Sequence, residues 1–405
     1  MKYSKFKSLF HFCRFKNTVL FSFCMLLACQ AQDKSFEHKK LLTGADQTEL
    51  YLKHLESKNV AVVTNQTSVI LNSKNDYTHL VDSLLSLNIK VKKVFAPEHG
   101  FRGQADAGEK VDDAVDAKTG LSIISLYGKH KKPTQTDLTD IDIVVFDIQD
   151  VGVRFYTYIS TLHYVMEACA EQNIPVLVLD RPNSNRHYVD GPILEKQNTS
   201  FVGMHPVPVV YGLTIGEYVQ MINGEKWLEN NMTCDLTVIP LKNYDVQKNY
   251  DLPIKPSPNL PNALSINLYP SLCFFEGTTV NAGRGTTSPF QVFGSPFLDA
   301  EVYDFQYVPQ PNFGSKYPKH QGKTCYGKDL TKHKFISEIH LDWLINAYHN
   351  SSEQDKFFNT FFTNLAGTEV LQKQIEDGMT AEQIKSTWYD DLEKFKMLKA
   401  KYHLY

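Results

Sequence analysis

Apolar positions follow two rhythms along this chain. Val60 to Thr64, Val91 to Ala96, Ser122 to Leu126, Ile143 to Phe146 and Val176 to Leu179 are short, nearly unbroken apolar runs, the pattern of strands buried on both faces. Between them, His79 to Leu87 and Ser160 to Gln172 carry helix-like patterns, and in the second Leu162, Val165, Met166 and Cys169 share one face. Thr214 with Glu217 three residues on makes a capping box, opening a helix that turns Tyr218, Met221 and Ile222 inward. Such alternation from about Asp46 to Pro240 predicts βαβ units and an α/β fold with a helix-covered parallel sheet.

Pro253, Pro256, Pro258 and Pro261 then crowd a stretch where missing amide donors forbid a regular element. The pattern places a domain boundary there, dividing residues 46–252 from 253–405. The second part holds less obvious strands and a C-terminal helix. That helix opens on a Thr380/Gln383 capping box, with Ile384, Trp388, Leu392 and Phe395 along one face.

Three of the apolar runs end in reactive groups. Val91 to Ala96 runs into Pro97-Glu98-His99-Gly100, Ile143 to Phe146 into Asp147-Ile148-Gln149-Asp150 with Arg154 and Tyr156 beyond, and Val176 to Leu179 into Asp180-Arg181-Pro182-Asn183. Open α/β sheets bind ligands outside the carboxyl ends of their strands, so these ends predict one shared site.

The N-terminus changes the picture of where the protein works. Residues 1–29 carry five basic and no acidic side chains, followed by an apolar run from Val19 to Ala28, the build of a secretory signal too short to favour a spanning helix. Leu26-Leu27-Ala28-Cys29 resembles a lipobox, which predicts an exported, periplasmic lipoprotein anchored through Cys29, with residues 30–45 as a linker; a plain cleavage after Ala31, which also meets the small-residue rule, is the alternative. Without the leader the net charge is −8, which leaves no electrostatic footprint for nucleic acid. Cys169, Cys234, Cys273 and Cys325 are far apart in a chain large enough to need no staples, and are expected to be mostly buried free thiols.

Cofactor signatures are missing from the sequence. Val63 is followed by Thr64-Asn65-Gln66-Thr67-Ser68 rather than GxGxxG, and there is no P-loop, GxSxG elbow or HExxH. His99, His130, His187 and His205 have no metal-ligand spacing, so neither a cofactor nor a metal is expected.

Glu98 is the sharpest candidate, because a strand end flanked by Pro97 and Gly100 holds a carboxyl rigidly, and partial burial raises a carboxyl toward a useful acid. A solvated loop glutamate is the plain alternative. Asp147, Gln149 and Asp150 form a second polar group, in which a turn or cap role is expected for one aspartate, Asp150 above all. Arg154 either neutralises that cluster or grips an anionic ligand with its planar fork. Tyr156 and Tyr158 suit either core packing or sugar stacking.

These residues stand in long recognisable strings. Phe95-Ala96-Pro97-Glu98-His99-Gly100-Phe101-Arg102-Gly103, Ser125-Leu126-Tyr127-Gly128, Val145 through Ile159 and Leu179-Asp180-Arg181-Pro182-Asn183 resemble the bacterial exo-β-N-acetylmuramidase family often called NamZ. The resemblance runs on through Asp190-Gly191-Pro192, Tyr211 to Glu217, Pro256-Ser257-Pro258-Asn259-Leu260-Pro261, Phe275-Glu276-Gly277-Thr278 and Gly283-Arg284-Gly285-Thr286 to Tyr402-His403-Leu404-Tyr405. Phe101 and Asn281-Ala282 depart from the family pattern without removing a candidate catalytic group.

The resemblance implies a glycoside hydrolase that removes N-acetylmuramic acid from the non-reducing end of peptidoglycan fragments. It also implies a Rossmann-like catalytic domain and a smaller α+β C-terminal domain closing the cleft. Glu98 becomes the expected acid, with Tyr127 as its partner. The second catalytic group is either a protein carboxylate, with Asp147 or Asp150 the leading choices, or the substrate's own acetamide oriented by one of them. Muramic acid carries a lactyl carboxylate, which calls for a fixed cation. Arg284 is the first choice and Arg154 the second, unless Arg284 simply pairs with Glu276. His99, Gln149, Asp150, Tyr156, Asn259 and Glu276 complete the expected substrate contacts. Two rivals remain: a periplasmic sugar- or muropeptide-binding protein without turnover, and an esterase or amidase, which lacks an activated nucleophile here.

Overall fold

A computed structural model describes residues 40–71, 76–103, 113–248 and 250–405. The leader, Cys29 and most of the expected linker lie outside the described residues.

All five of the apolar runs read as strands between Val60 and Leu179 are strands. In chain order the strands are β1 (Val60–Thr64), β2 (Val69–Leu71), β3 (Tyr77–His79), β4 (Val91–Ala96), β5 (Ala114–Val115), β6 (Ser122–Ser125), β7 (Ile143–Asp147), β8 (Val176–Leu179) and β9 (Leu236–Ile239). Seven of them form one sheet in the order β5-β6-β4-β1-β7-β8-β9, parallel throughout except for β5, which runs antiparallel at the edge. Counted in sequence, the six parallel strands lie third, second, first, fourth, fifth, sixth, which is the doubly wound order with its switch point between β1 and β7. β2 and β3 pair as a separate antiparallel ribbon.

The unbroken apolar pattern follows from burial on both faces. Ala61, Val63, Val144, Phe146, Val176 and Val178 point into one core; Val60, Val62, Ile143, Val145, Leu177 and Leu179 point into the other. Helices α1 (Thr48–Leu55) and α2 (Leu80–Ser86) cover the second face with Tyr51, Leu55, Leu80, Val81 and Leu84. Helices α3 (Tyr158–Glu171) and α4 (Ile215–Gly224) cover the first, and α4 opens on the expected Thr214/Glu217 capping box.

The larger core does not stop at the sheet. It continues through α5 (Ala263–Leu272) into Phe274, Phe293, Phe357, Phe362 and Leu365, and the chain from Leu41 onward packs as one unit. Here three antiparallel strands, β10 (Val292–Ser295), β11 (Phe305–Tyr307) and β12 (Cys325–Asp329), lie in the order β10-β12-β11. Around them pack α6 (Asp342–His349), α7 (Phe361–Ala366), α8 (Val370–Glu376), α9 (Ala381–Ser386) and α10 (Tyr389–Lys399). The single C-terminal helix expected from periodicity is therefore two, α9 and α10. Thr387 Oγ1 bonds back to the Ile384 carbonyl at 2.7 Å and Trp388 serves as the start of α10; Ile384 of α9, Trp388 and Phe395 of α10 are still buried. Cys169, Cys234, Cys273 and Cys325 are buried free thiols.

Candidate functional site

β4 delivers Glu98 to the carboxyl edge of the sheet through a tight turn, closed by the Gly100 amide on the Pro97 carbonyl at 3.0 Å. His99 and Gly100 both take left-handed backbone, φ +71° and +74°. A side chain such as histidine adopts that conformation at a cost, and such strain gathers where a group must be aimed. One strand outward, the Leu126 amide bonds the Ala96 carbonyl at 2.8 Å and sets Tyr127 beside Glu98. From the other side, Thr157 at the start of α3 donates its hydroxyl to Glu98 Oε2 at 3.4 Å.

Burial, then the charge of the neighbouring Glu98 and a hydrogen bond with it, hold the Tyr127 phenol well above its ordinary pKa. Tyr127 is thus a neutral donor to that carboxylate, and Tyr158 is kept neutral by burial and by Glu98 as well. Glu98 lines two hollows, which also share Phe155, Thr157, Tyr269 and Arg284. A recess of about 70 Å³ is lined by Glu98, His99, Tyr156, Tyr158, Asn259 and Arg284 among others. An open cleft of about 750 Å³ is lined by Glu98, Tyr127, Thr157, Tyr269, Glu276 and Arg284, with a rim beyond.

The far wall comes from the C-terminal part. Arg284 is about a quarter exposed; its Nε bonds Glu276 Oε2 at 3.1 Å, and its guanidinium carbon lies 5.1 Å from the Phe290 ring centre. The proline-rich stretch is bolted to the sheet side. Tyr156 and Tyr158 both donate to the Pro256 carbonyl, at 2.9 and 3.4 Å, and Asn259 Nδ2 holds the Gly314 carbonyl at 2.7 Å.

Four expected site residues stand elsewhere. Asp147 is fully buried and gripped by Arg181, Nε to Oδ1 at 2.6 Å and Nη2 to Oδ2 at 2.9 Å, so it braces the switch point and does not reach the cleft. Gln149 spends its amide on the Asp150 and Pro182 carbonyls, at 2.8 and 2.6 Å. Asp150 is the turn residue, with Oδ2 accepting from the Gly152 amide at 2.6 Å and from the Tyr211 hydroxyl; burial raises its pKa to about 7. Arg154 is wholly buried and donates to the carbonyls of Pro192, Val207, Leu365 and Ala366 at 2.7–3.0 Å, and burial lowers its pKa to about 9. It ties the start of α3 to the end of α7 and reads no ligand.

The crevice between β1 and β7, where a dinucleotide fold would bind its cofactor, is filled by the chain itself. Thr67 Oγ1 accepts from the Gln149 amide at 3.0 Å, Ser68 Oγ donates to the Asp147 carbonyl, and Asn65, Thr67 and Ser68 are all buried. An open hollow lies beside Glu98 instead. Tyr269, Tyr317 and Phe361 line it without having been named in the sequence, whereas Thr157 had a signal, its place inside the Val145–Ile159 string.

Comparison with known proteins fixes the family. The model of the N-terminal part of the exo-beta-N-acetylmuramidase NamZ matches residues 60–264, and that of its C-terminal part matches 267–405. The chain belongs to the NamZ family. It is 38% identical over 396 residues to the peptidoglycan beta-N-acetylmuramidase NamZ of Bacillus subtilis strain 168, covering 93% of this chain and 94% of that protein. Two crystal structures of DUF1343 family proteins from Bacteroides fragilis NCTC 9343 share the fold. One is 45% identical with a TM-score of 0.83, the other 29% with 0.74, each covering 90% of this chain and 99% of its own. Within this member of the family, the Glu98 cleft joins residues from both matched parts.

Proposed function

We propose that the protein is an exo-acting glycosidase that releases terminal, non-reducing β-1,4-linked N-acetylmuramic acid from peptidoglycan fragments in cell-wall turnover. The carrying observation is that Glu98, ringed by the hydroxyl donors Tyr127 and Thr157, shares one cleft with Arg284 in a chain of the NamZ family.

Glu98, as the carboxylic acid, gives its proton to the leaving oxygen as the C1–O4 bond breaks. Tyr127 and Thr157 orient it by hydrogen bonding. With Asp147 and Asp150 walled off, the substrate's acetamide oxygen is the group that closes on C1. Water, giving its proton to the Glu98 carboxylate, then opens that ring and frees the sugar. Glu276 is the second carboxylate on the wall, fixing Arg284 through Nε so that the guanidinium's outer edge meets the lactyl carboxylate. The recess beside Glu98 is small, which suits an enzyme that takes a chain end rather than a chain interior. Residues 46–252 and 253–405 serve as its two walls, and export with a lipid on Cys29 sets the enzyme in the periplasm among its substrates.

The test is incubation of the protein with MurNAc-β-1,4-GlcNAc and mass detection of free muramic acid. Release supports the glycosidase reading. Saturable binding with no release would make this a sugar-binding protein instead.

A further inference from the structure

The outer half of the cleft holds aromatic side chains that the fold does not use. Tyr317 is 90% exposed and Phe361 38% exposed, yet both line the 750 Å³ hollow that begins at Glu98, together with Val202 and Leu365. Exposed aromatics gathered on one concavity mark a binding surface rather than leftover core.

Three separate segments carry these side chains, and each is held firmly from behind. Ser200 and Gly203 exchange amide bonds at 2.9 and 3.0 Å, making a tight turn whose tip is Phe201-Val202. Phe201 is backed by the Tyr164 ring, nearly parallel at 6.3 Å, and by the Lys131 ammonium 4.4 Å from its centre. Asn312 and Ser315 likewise exchange amide bonds, both at 3.1 Å, in the turn that leads into Tyr317. That turn is locked at Gly314, whose φ is +101° and where a Cβ would stand 2.8 Å from Pro258 Cβ; Asn259 holds its carbonyl at 2.7 Å. On the third side, α7 carries Phe361, and Arg154 clamps its last carbonyls, Leu365 at 3.0 Å and Ala366 at 2.7 Å. Aromatic side chains carried on backbone held in this way bind with less ordering cost than ones on a loose loop.

We propose that Tyr317 and Phe361 form a stacking platform for the leaving glycan beyond its first sugar, so that the enzyme prefers oligosaccharides to the disaccharide. This rests on the muramidase reading and extends it to the far side of the scissile bond. On the muramidase reading the terminal sugar lies against Glu98 and Arg284, which line both hollows, so the part of the wide hollow walled by Tyr317 and Phe361 is left for the departing chain. Pyranose rings present C–H faces that suit aromatic rings, which favours glycan over peptide as the occupant.

The experiment compares kcat/KM for MurNAc-GlcNAc and for the tetrasaccharide (MurNAc-GlcNAc)2, using the full chain and its Tyr317→Ala variant. Tyr317 is exposed, so an unchanged melting temperature is expected and is checked first. The wild type should favour the tetrasaccharide by about tenfold, about 1.4 kcal/mol, chiefly through KM. Tyr317→Ala should bring the ratio to about one, and Phe361→Ala should lower it in the same direction. A wild-type ratio near one, a ratio unmoved by Tyr317→Ala, or a loss seen only on substrates carrying stem peptides would overturn the platform. Failure of the wild type to release any muramic acid would instead strike the muramidase reading itself.

Discussion

Arg181 grips Asp147 with two parallel hydrogen bonds, 2.6 Å from Nε and 2.9 Å from Nη2, at the buried switch point of the sheet. Both groups are nearly or wholly sealed from solvent, and Arg181 also holds the Val69 carbonyl at 3.1 Å. A strand end that offered a candidate for the second catalytic carboxylate is therefore a brace for the crossover.

Breaking that brace should cost stability rather than chemistry. Asp147→Ala leaves a buried guanidinium without its counter-charge, a loss of about 3–5 kcal/mol. Denaturant unfolding should show this loss, while kcat measured on the folded fraction stays within about threefold of wild type. A fully folded Asp147→Ala protein with no turnover would return Asp147 to the active site.

Arg284 and Arg154 should separate cleanly. Arg284→Ala removes a charged bond to the lactyl group, so kcat/KM on muramic acid glycosides should fall about 10- to 100-fold, with a much smaller fall on the matching glucosamine glycosides. Arg154→Met should lower the melting temperature and leave that preference ratio unchanged. Equal losses on both sugars for Arg284→Ala would remove it from lactyl recognition.

Asp150 makes a pH prediction of definite sign. Burial raises its pKa from 3.8 to about 7, so the native state keeps a proton that the unfolded chain has already released. Its contribution is full below pH 3.8 and is lost as pH rises toward and through 7. Asp116 and Glu167, both lowered to about 2, act in the opposite sense in acid, so the effect is read as a difference. Subtracting Asp150→Asn from wild type across pH 4 to 7.5 should leave a stability difference that falls with pH. A flat difference would contradict the burial effect.

Acetamide participation has its own test. A muramic acid thiazoline, which mimics the bicyclic intermediate, should inhibit at least about 100-fold more tightly than free muramic acid binds. Inhibition no tighter than that of the free sugar would favour a protein nucleophile or a direct attack by water.

The sheet was legible because strands buried on both faces are apolar nearly throughout, β4 admitting Lys92 and Lys93 only where it opens to solvent, and β1, β4 and β8 begin and end where the runs do. The capping boxes at Thr214 and Thr380 were equally local, and both form. The site was legible only in part. Glu98 advertises itself through Pro97 and Gly100, but nothing near Asp147 says that Arg181, from the next strand end, will take it. Asp150 is likewise claimed by Tyr211, from a segment far along the chain. Tyr317 and Phe361 reach the cleft through long-range packing that no short motif encodes. Which polar group faces a ligand and which faces a partner is decided by three-dimensional pairing, and residue type alone is silent on it.

The most direct measurement of the central claim is muramic acid release from MurNAc-GlcNAc by wild type and by Glu98→Gln at equal folded concentration. Removing the proton donor while keeping the side chain's shape should lower kcat about 100- to 10,000-fold and leave the melting temperature and disaccharide binding nearly unchanged. A Glu98→Gln protein that turns over at the wild-type rate would contradict the account.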